Sequence, residues 1–384
     1  MKSEGCEVVH VLFVIRSLNI GGAEQQLIEL VRHIDRSRFF ISVATFYDGG
    51  ALRPEIEGLE GVQVFSLGKR SRWDLLVLMR QLQKLIHQLK PDVIHSYLDT
   101  ANVVCLLIGK LCRVPVVWGI RSSFVDFSDY CWTDAFVYRL GAWLSPLAAG
   151  IIVNSEAGKK YHASKGYHIQ KMYVVPNGID TRVYYPDREA GLRVRCEWGV
   201  SADDQLVGMI ARLDVIKDYP TYLRAISQLA RNGSRARFVC VGDGDAQYLR
   251  QLIDLAEELG ISERLLWVGA RRDMPAVYNA LDLLVLSSYG EGFSNVIAEA
   301  MACGVPCVVT DVGDSALIVG NTGRVVPVRN PQAMAEAVQS LLAVSPEKRG
   351  VLKEAARQRI QTEFNSALMA QRTESILKNS ASVC

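Results

Sequence analysis

Short runs of β-branched and aliphatic residues alternate with amphipathic stretches along almost the whole chain. In the first half the apolar runs are VHVLFVIRSL, FISVATFY, VQVFSLG, DVIHSYL, VPVVWGIR, GIIVNS and MYVVPNG. In the second half they are LVGMIARL, RFVCVGDG, LLWVGA, LDLLVLSS, PCVVTD and GRVVPV. Such runs, spaced by helical patterns, predict parallel sheets covered by helices. Two series predict an α/β protein of two doubly wound, Rossmann-like domains. The division falls in VVPNGIDTRVYYPDREAG, residues 174–191, where Pro176, Asn177, Gly178 and Pro186 interrupt the pattern. A first domain is expected over 1–180 and a second over 181–360. Helical spacing from about 346 to 380 predicts that the last segment, 361–384, returns to brace the first domain. Ligands of open α/β sheets bind outside the carboxyl ends of the strands, so the site is expected in the cleft between the domains.

With 384 residues, 49% of them hydrophobic and 22% charged, the chain suits two globular cores. Its formal charge of +2 carries no general signature of nucleic-acid binding. The nine cysteines are odd in number and scattered, several inside apolar runs, and read as buried thiols of a reducing compartment. Cys303 and Cys307 form a C-x3-C pair, but no second pair or histidine accompanies it, which favours a structural reading over a metal site. The start, MKSEGCEVVHVLFVI, lacks a basic leader with a small-residue cleavage site, so no signal peptide is expected. The longest apolar stretches are interrupted by Lys110 and Arg113 or by Pro146, and none reaches the roughly 18–20 residues of a spanning helix. A cytoplasmic protein is expected.

The candidate chemistry centres on EGFSNVIAEAMACGVP, residues 291–306. Glu291 and Glu299 stand eight residues apart, about 12 Å if one helix carried both, which is wide for a glycosidase carboxylate pair at about 5–9.5 Å. Between them, Gly292-Phe-Ser-Asn leads into a helix with Ser294 or Asn295 as its N-cap, an arrangement suited to an anion. Arg212 follows the first strand of the second domain, and Lys217 comes five residues later, before a helix that Pro220 can open. A guanidinium and an ammonium there could neutralise a leaving diphosphate without a metal.

These motifs make the sequence resemble glycosyltransferase family 4, the retaining GT-B enzymes, over nearly its whole length. The likeness rests on E-x7-E in EGFSNVIAEAMACGVPCVVTD, supported by GGAE at 21–24, PNGID at 176–180 and the Arg212/Lys217 pair. The resemblance implies that Glu291 binds hydroxyls of a donor sugar, Glu299 the ribose, and Arg212 and Lys217 the diphosphate, with Ser294 and Asn295 near the phosphates. Gly21 and Gly22 would form a tight loop after the first strand, near donor or acceptor, and Arg121 could meet an acceptor phosphate. His95, expected at a strand end facing the cleft, is a candidate for donor contact, while Tyr97 and Thr100 stand where many relatives carry further histidines. Leu317 stands where similar enzymes have an acid. In VGDGDA, Gly242 and Gly244 read as backbone clearance beside the nucleotide, and Asp243 and Asp245 are not read as a metal site.

The implied reaction moves a sugar from a nucleotide donor, a UDP-sugar, to a hydroxyl of a saccharide or lipid-linked acceptor, as in polysaccharide or glycan biosynthesis. It retains configuration by front-face transfer and needs neither metal nor cofactor. A UDP-sugar epimerase and a non-catalytic sugar-nucleotide-binding protein are the rival readings. Within residues 69–90, Leu75, Leu78, Met79, Leu82, Leu85, Ile86 and Leu89 project onto one helical arc, with Arg72, Arg80, Lys84, His87 and Lys90 on the next. The apolar arc should pack on the sheet. The basic arc, with Trp73 at its edge and the aromatic run Phe124, Phe127, Tyr130 and Trp132 elsewhere, suggests contact with an anionic membrane on its inner face.

Overall fold

Every apolar run named above forms a strand in the computed structural model, which describes residues 8–71, 74–121 and 132–382. In the first half these are β1 (Val9–Ile15), β2 (Phe39–Thr45), β3 (Val62–Ser66), β4 (Val93–Tyr97), β5 (Val116–Ile120), β6 (Gly150–Val153) and β7 (Met172–Val174). In the second they are β8 (Leu206–Ile210), β9 (Arg237–Val241), β10 (Leu265–Gly269), β11 (Leu283–Leu286), β12 (Cys307–Thr310) and β13 (Arg324–Val326).

The strands make two parallel sheets, ordered β3-β2-β1-β4-β5-β6-β7 and β10-β9-β8-β11-β12-β13. Both are doubly wound: the chain runs outward from β1 to β3 and then crosses back to β4, and does the same from β8 to β10 and back to β11. The connections therefore part company between β1 and β4 in one sheet and between β8 and β11 in the other. In β1, Leu12 and Val14 join one core while Val11, Phe13 and Ile15 join the core on the opposite face. Strands buried on both sides are apolar at nearly every position, which is why they read as unbroken runs.

One compact unit comprises the chain to Gly178 together with the segment from Ser366; the other comprises Ile179–Asn365. The late helical stretch is two helices, Pro346–Glu363 and Ser366–Ala381, separated at Phe364 and Asn365. The second belongs to the first unit, where Met369, Ala370 and Leu377 enter the core that holds Leu27 and Phe13. Glu374 accepts a hydrogen bond from the Asp35 amide at 2.9 Å.

Two readings of side-chain placement need correction. The helix predicted within 69–90 spans Leu75–Leu89 and buries Leu78, Leu82, Leu85 and Ile86, but Leu75 is exposed, as are Leu76 and Val77. Its packed face begins only at Leu78, one turn in. The cysteines are not uniformly buried either. Cys105, Cys240, Cys303 and Cys307 are, whereas Cys112 is half-buried and Cys196 lies on the outer face of the helix Arg188–Glu197. Cys303 and Cys307 are free thiols, and burial pushes the Cys303 thiol up to about 12. Arg72, Trp73, Phe124, Phe127 and Tyr130 lie outside the described residues, as does the side chain of Trp132.

Candidate functional site

In the second unit the connections leaving β8 and β11 start side by side, and their residues meet just beyond the carboxyl ends of the two strands. The first connection carries Arg212, then a single turn of 3-10 helix, Val215–Lys217, then the helix Tyr219–Arg231. Pro220 occupies the first turn of that helix and Asp218 caps it, accepting from the Thr221 hydroxyl at 2.7 Å. The second connection passes through Ser287, Ser288 and Glu291 before the helix Asn295–Ala302.

Three hydrogen bonds tie these segments together. The Ser287 hydroxyl lies 2.9 Å from the carbonyl oxygens of both Lys217 and Asp218, and the Tyr289 amide donates to Ile216 O at 3.0 Å. With the backbones so fixed, Lys217 Nζ approaches Glu291 Oε1 to 2.6 Å. Ser288 Oγ donates to the same oxygen at 2.7 Å. The lysine side chain is 20% exposed and the glutamate 10%, so the pair is largely withdrawn from water and only weakly screened.

Gly313 packs under this loop. A Cβ there would fall 2.5 Å from the carbonyl oxygens of Glu291 and Gly292, and its φ of +56° is in the region that favours glycine. The next residue donates its amide, Asp314 N, to Gly292 O at 2.9 Å. Ser294 is the N-cap of the following helix by position, but its side chain makes no capping hydrogen bond. Glu299, one turn into that helix, accepts from the Tyr278 hydroxyl at 2.7 Å.

The remaining second-unit candidates are placed differently. Arg212 is 72% exposed and pairs with Asp214 at 2.7 Å, where the lysine pairs with Glu291. Gly242 clears backbone of its own unit: a Cβ there would lie 1.9 Å from Ala211 O. Gly244 does the same against Leu213 O, at 2.4 Å. Asp245 caps the helix Ala246–Glu258 through the amides of Gln247 and Tyr248, and Asp243 accepts from the Gly244 amide at 2.8 Å. Leu317 is exposed.

In the first unit, Gly21 is the N-cap of the helix Gly22–His33, directly after the β1 connection. Arg121, just past β5, donates to the Tyr97 hydroxyl at 3.0 Å and to Asn177 Oδ1 at 3.2 Å, with its guanidinium carbon 4.8 Å from the centre of the Tyr97 ring. Asp99 heads the helix Asp99–Cys112, and burial, with Asp134 adding to it, pushes its carboxyl up to about 6.

His95 is the clear departure. It lies inside β4, two residues before the strand ends, and is fully buried against Phe13 and Tyr97. Its Nδ1 is 3.0 Å from Val117 O, which can only accept, so that nitrogen carries the proton. Nε2 meets no partner among the described residues. Burial, with the Arg121 charge adding to it, holds the imidazole down to about 3 although the Val117 bond opposes the shift. The β4 run DVIHSYL contains no mark of where pairing with β5 stops, and that pairing continues past His95 to Tyr97.

Ser288 and Tyr278, which hold the two glutamates, were not singled out in the sequence. Ser288 precedes Glu291 by three residues in an unremarkable serine pair, and Tyr278 lies 21 residues from Glu299. No spacing rule connects either to its partner.

Residues 20–183 match the family model described as Glycosyltransferase Family 4, and residues 204–344 the model described as Glycosyl transferases group 1. The chain belongs to the GT-B glycosyltransferases of family 4 type. It is 25% identical over 306 residues to EpsF of Bacillus subtilis, which spans 78% of this chain and 79% of that protein. It is 27% identical over 253 residues to the Escherichia coli UDP-Gal:alpha-D-GlcNAc-diphosphoundecaprenol alpha-1,3-galactosyltransferase, covering 62% of this chain and 63% of that one. A crystal structure of Anabaena HepE in complex with UDP superposes with a TM-score of 0.84 at 25% identity, covering 97% of this chain and all of that one.

Proposed function

We propose that the chain transfers a hexose from a UDP-sugar to a hydroxyl of a saccharide or lipid-linked acceptor, with retention of configuration and without a metal, in the assembly of a cell-surface polysaccharide or glycan. The observation that carries this reading is the Lys217–Glu291 pair, 2.6 Å apart at the point where the connections of β8 and β11 diverge. A cation for a diphosphate and a carboxylate for sugar hydroxyls are what a nucleotide-sugar requires at adjacent positions.

In this reading the second unit, expected over 181–360, is the donor domain. Lys217 and Arg212 take the diphosphate, with Ser294 and Asn295 at the positive end of their helix. Glu299, oriented by Tyr278, takes the ribose, and Gly242 allows close backbone approach. In front-face transfer the departing diphosphate accepts the proton of the acceptor hydroxyl as the new glycosidic bond forms, and Arg212 and Lys217 stabilise its negative charge. The first unit, expected over 1–180, receives the acceptor. Gly21, Gly22 and Arg121 lie past the carboxyl ends of its strands, whereas buried His95 supports the strand that carries Tyr97, the partner of Arg121.

The HepE complex with UDP and the diphosphoundecaprenol acceptor named for the E. coli relative support this choice of donor and acceptor class. No helix among the described residues is long and apolar enough to cross a membrane. The reading includes peripheral attachment to the inner membrane face, supported by exposed Leu75, Leu76 and Val77 beside Arg80 and Lys84. Incubation with a panel of UDP-sugars and a lipid-linked oligosaccharide pool, with products identified by mass spectrometry, tests it. A transferred sugar is expected. An isomerised donor would establish the epimerase reading, and binding without turnover the non-catalytic one.

A further inference from the structure

A groove of about 670 Å³ opens in the first unit at the amino ends of β5 to β7, the edge of the sheet opposite its carboxyl-end loops. Its walls are the end of the helix Asp99–Cys112, the 3-10 turn Ser145–Leu147 and the last turns of the helix Ser366–Ala381. The volume lies within the range typical of small-molecule sites, about 300–1,000 Å³.

Two features of the lining occur together. Its floor is apolar, formed by Leu106, Val116, Ala148 and Ile376. Its charged residues are Lys110, Arg113 and Lys171, and no carboxylate side chain among the described residues lines it. None of the three cations forms an ion pair among the described residues. Lys110 and Arg113 stand at the end of a helix, where cations are favoured without any ligand. That explanation does not extend to Lys171, which comes from the separate turn Ile169–Lys171, or to the apolar floor between the charges. At the rim, Leu147, which lines the groove, is 52% exposed. An exposed aliphatic side chain beside cations favours a membrane over water.

We propose that this groove binds an anionic phospholipid, with the phosphate held by Lys110, Arg113 and Lys171 and an acyl chain lying along the apolar floor. Leu147 then faces the surrounding acyl chains. The charge pattern selects the headgroup and the floor selects a chain, so neither a free phosphate nor a neutral lipid satisfies both. The site is independent of the donor reading and of the helix Leu75–Leu89.

Calorimetric titration of the full chain with dihexanoylphosphatidylglycerol, kept monomeric in solution, tests the proposal. One saturable site is expected, with dihexanoylphosphatidylcholine binding at least tenfold more weakly and inorganic phosphate failing to saturate. The combined variant Lys110→Gln, Arg113→Gln, Lys171→Gln should weaken binding at least tenfold without lowering the melting temperature, and Ala149→Trp, which fills the groove, should abolish it. Arg80→Gln with Lys84→Gln should leave it unchanged. Absence of saturable binding by the anionic lipid, equal binding of the neutral lipid, equal binding of inorganic phosphate, or full affinity in the groove variants overturns the proposal. Should the triple variant not fold, the comparison of the three ligands on the unaltered protein still decides.

Discussion

Lys217 Nζ lies 2.6 Å from Glu291 Oε1, although the residues are 74 positions apart in the chain. Each belongs to a different βα connection, and the two connections begin on adjacent strands. The ion pair is thus a direct product of strand order. Removing the cation bears on charge stabilisation and on the position of its partner together.

Lys217→Ala should lower turnover about 100- to 1000-fold, the usual effect of losing one preorganised donor to a developing anion. Lys217→Arg should recover part of it. Steady-state kinetics alongside a melting curve distinguish this from unfolding: near-normal turnover in a folded Lys217→Ala protein removes the residue from the mechanism. Glu291→Ala should impair discrimination among UDP-sugars more than affinity for UDP, which competition binding reads directly.

Activity should persist in excess EDTA, because Arg212, Lys217 and the head of the helix Asn295–Ala302 are proposed to meet the diphosphate charge. Strict dependence on added magnesium or manganese, measured after exhaustive chelation, would contradict that assignment.

Gly313→Ala should raise the KM for donor and lower the melting temperature. Its Cβ would press on the backbone that presents Glu291, and a left-handed φ costs about 1–2 kcal/mol for a residue with a side chain. Gly233→Ala is the matched control, since its φ of +84° carries a similar penalty but nothing lies within 4 Å of the new methyl. The control should lose stability without a change in donor KM. Equal KM effects in both would show that Gly313 does not position the loop.

His95 should affect stability below pH 6.5. With the folded imidazole held at about 3, both states are neutral above pH 6.5 and the residue makes no pH-dependent contribution there. As pH falls from 6.5 towards 3, the unfolded chain takes up a proton that the folded chain refuses, so stability declines. At pH 5 the loss from this group is about 2 kcal/mol. Urea unfolding at pH 7.5 and 5.0 should show a smaller pH-dependent loss in His95→Gln than in the parent; equal losses would mean that the buried ring is protonated in the folded state.

Arg80→Gln with Lys84→Gln should reduce co-sedimentation with anionic vesicles at low salt, each cation near such a surface being worth about 1 kcal/mol. Donor binding should be unaffected. Unchanged sedimentation would make this helix an ordinary solvated face.

The sequence alone determined the fold class and the list of donor-site candidates, for physical reasons that act locally. Strands buried on both faces must be apolar throughout, so the central strands were visible as runs, and the partly exposed edge strands β3, β7, β10 and β13 were visible through their β-branched and aliphatic residues. Glu291 and Glu299 flank one short helix start, and Arg212 and Lys217 follow one strand, so each pair was readable within a few residues. Tertiary structure decided which of these side chains meet. It set Lys217 rather than Arg212 against Glu291, brought Tyr278 to Glu299, placed Gly313 beneath the loop and enclosed His95 within a strand. Those relationships depend on the lateral order of strands and on where their pairing ends. Such long-range contacts are fixed by packing of the whole sheet, and no local pattern of residues encodes them.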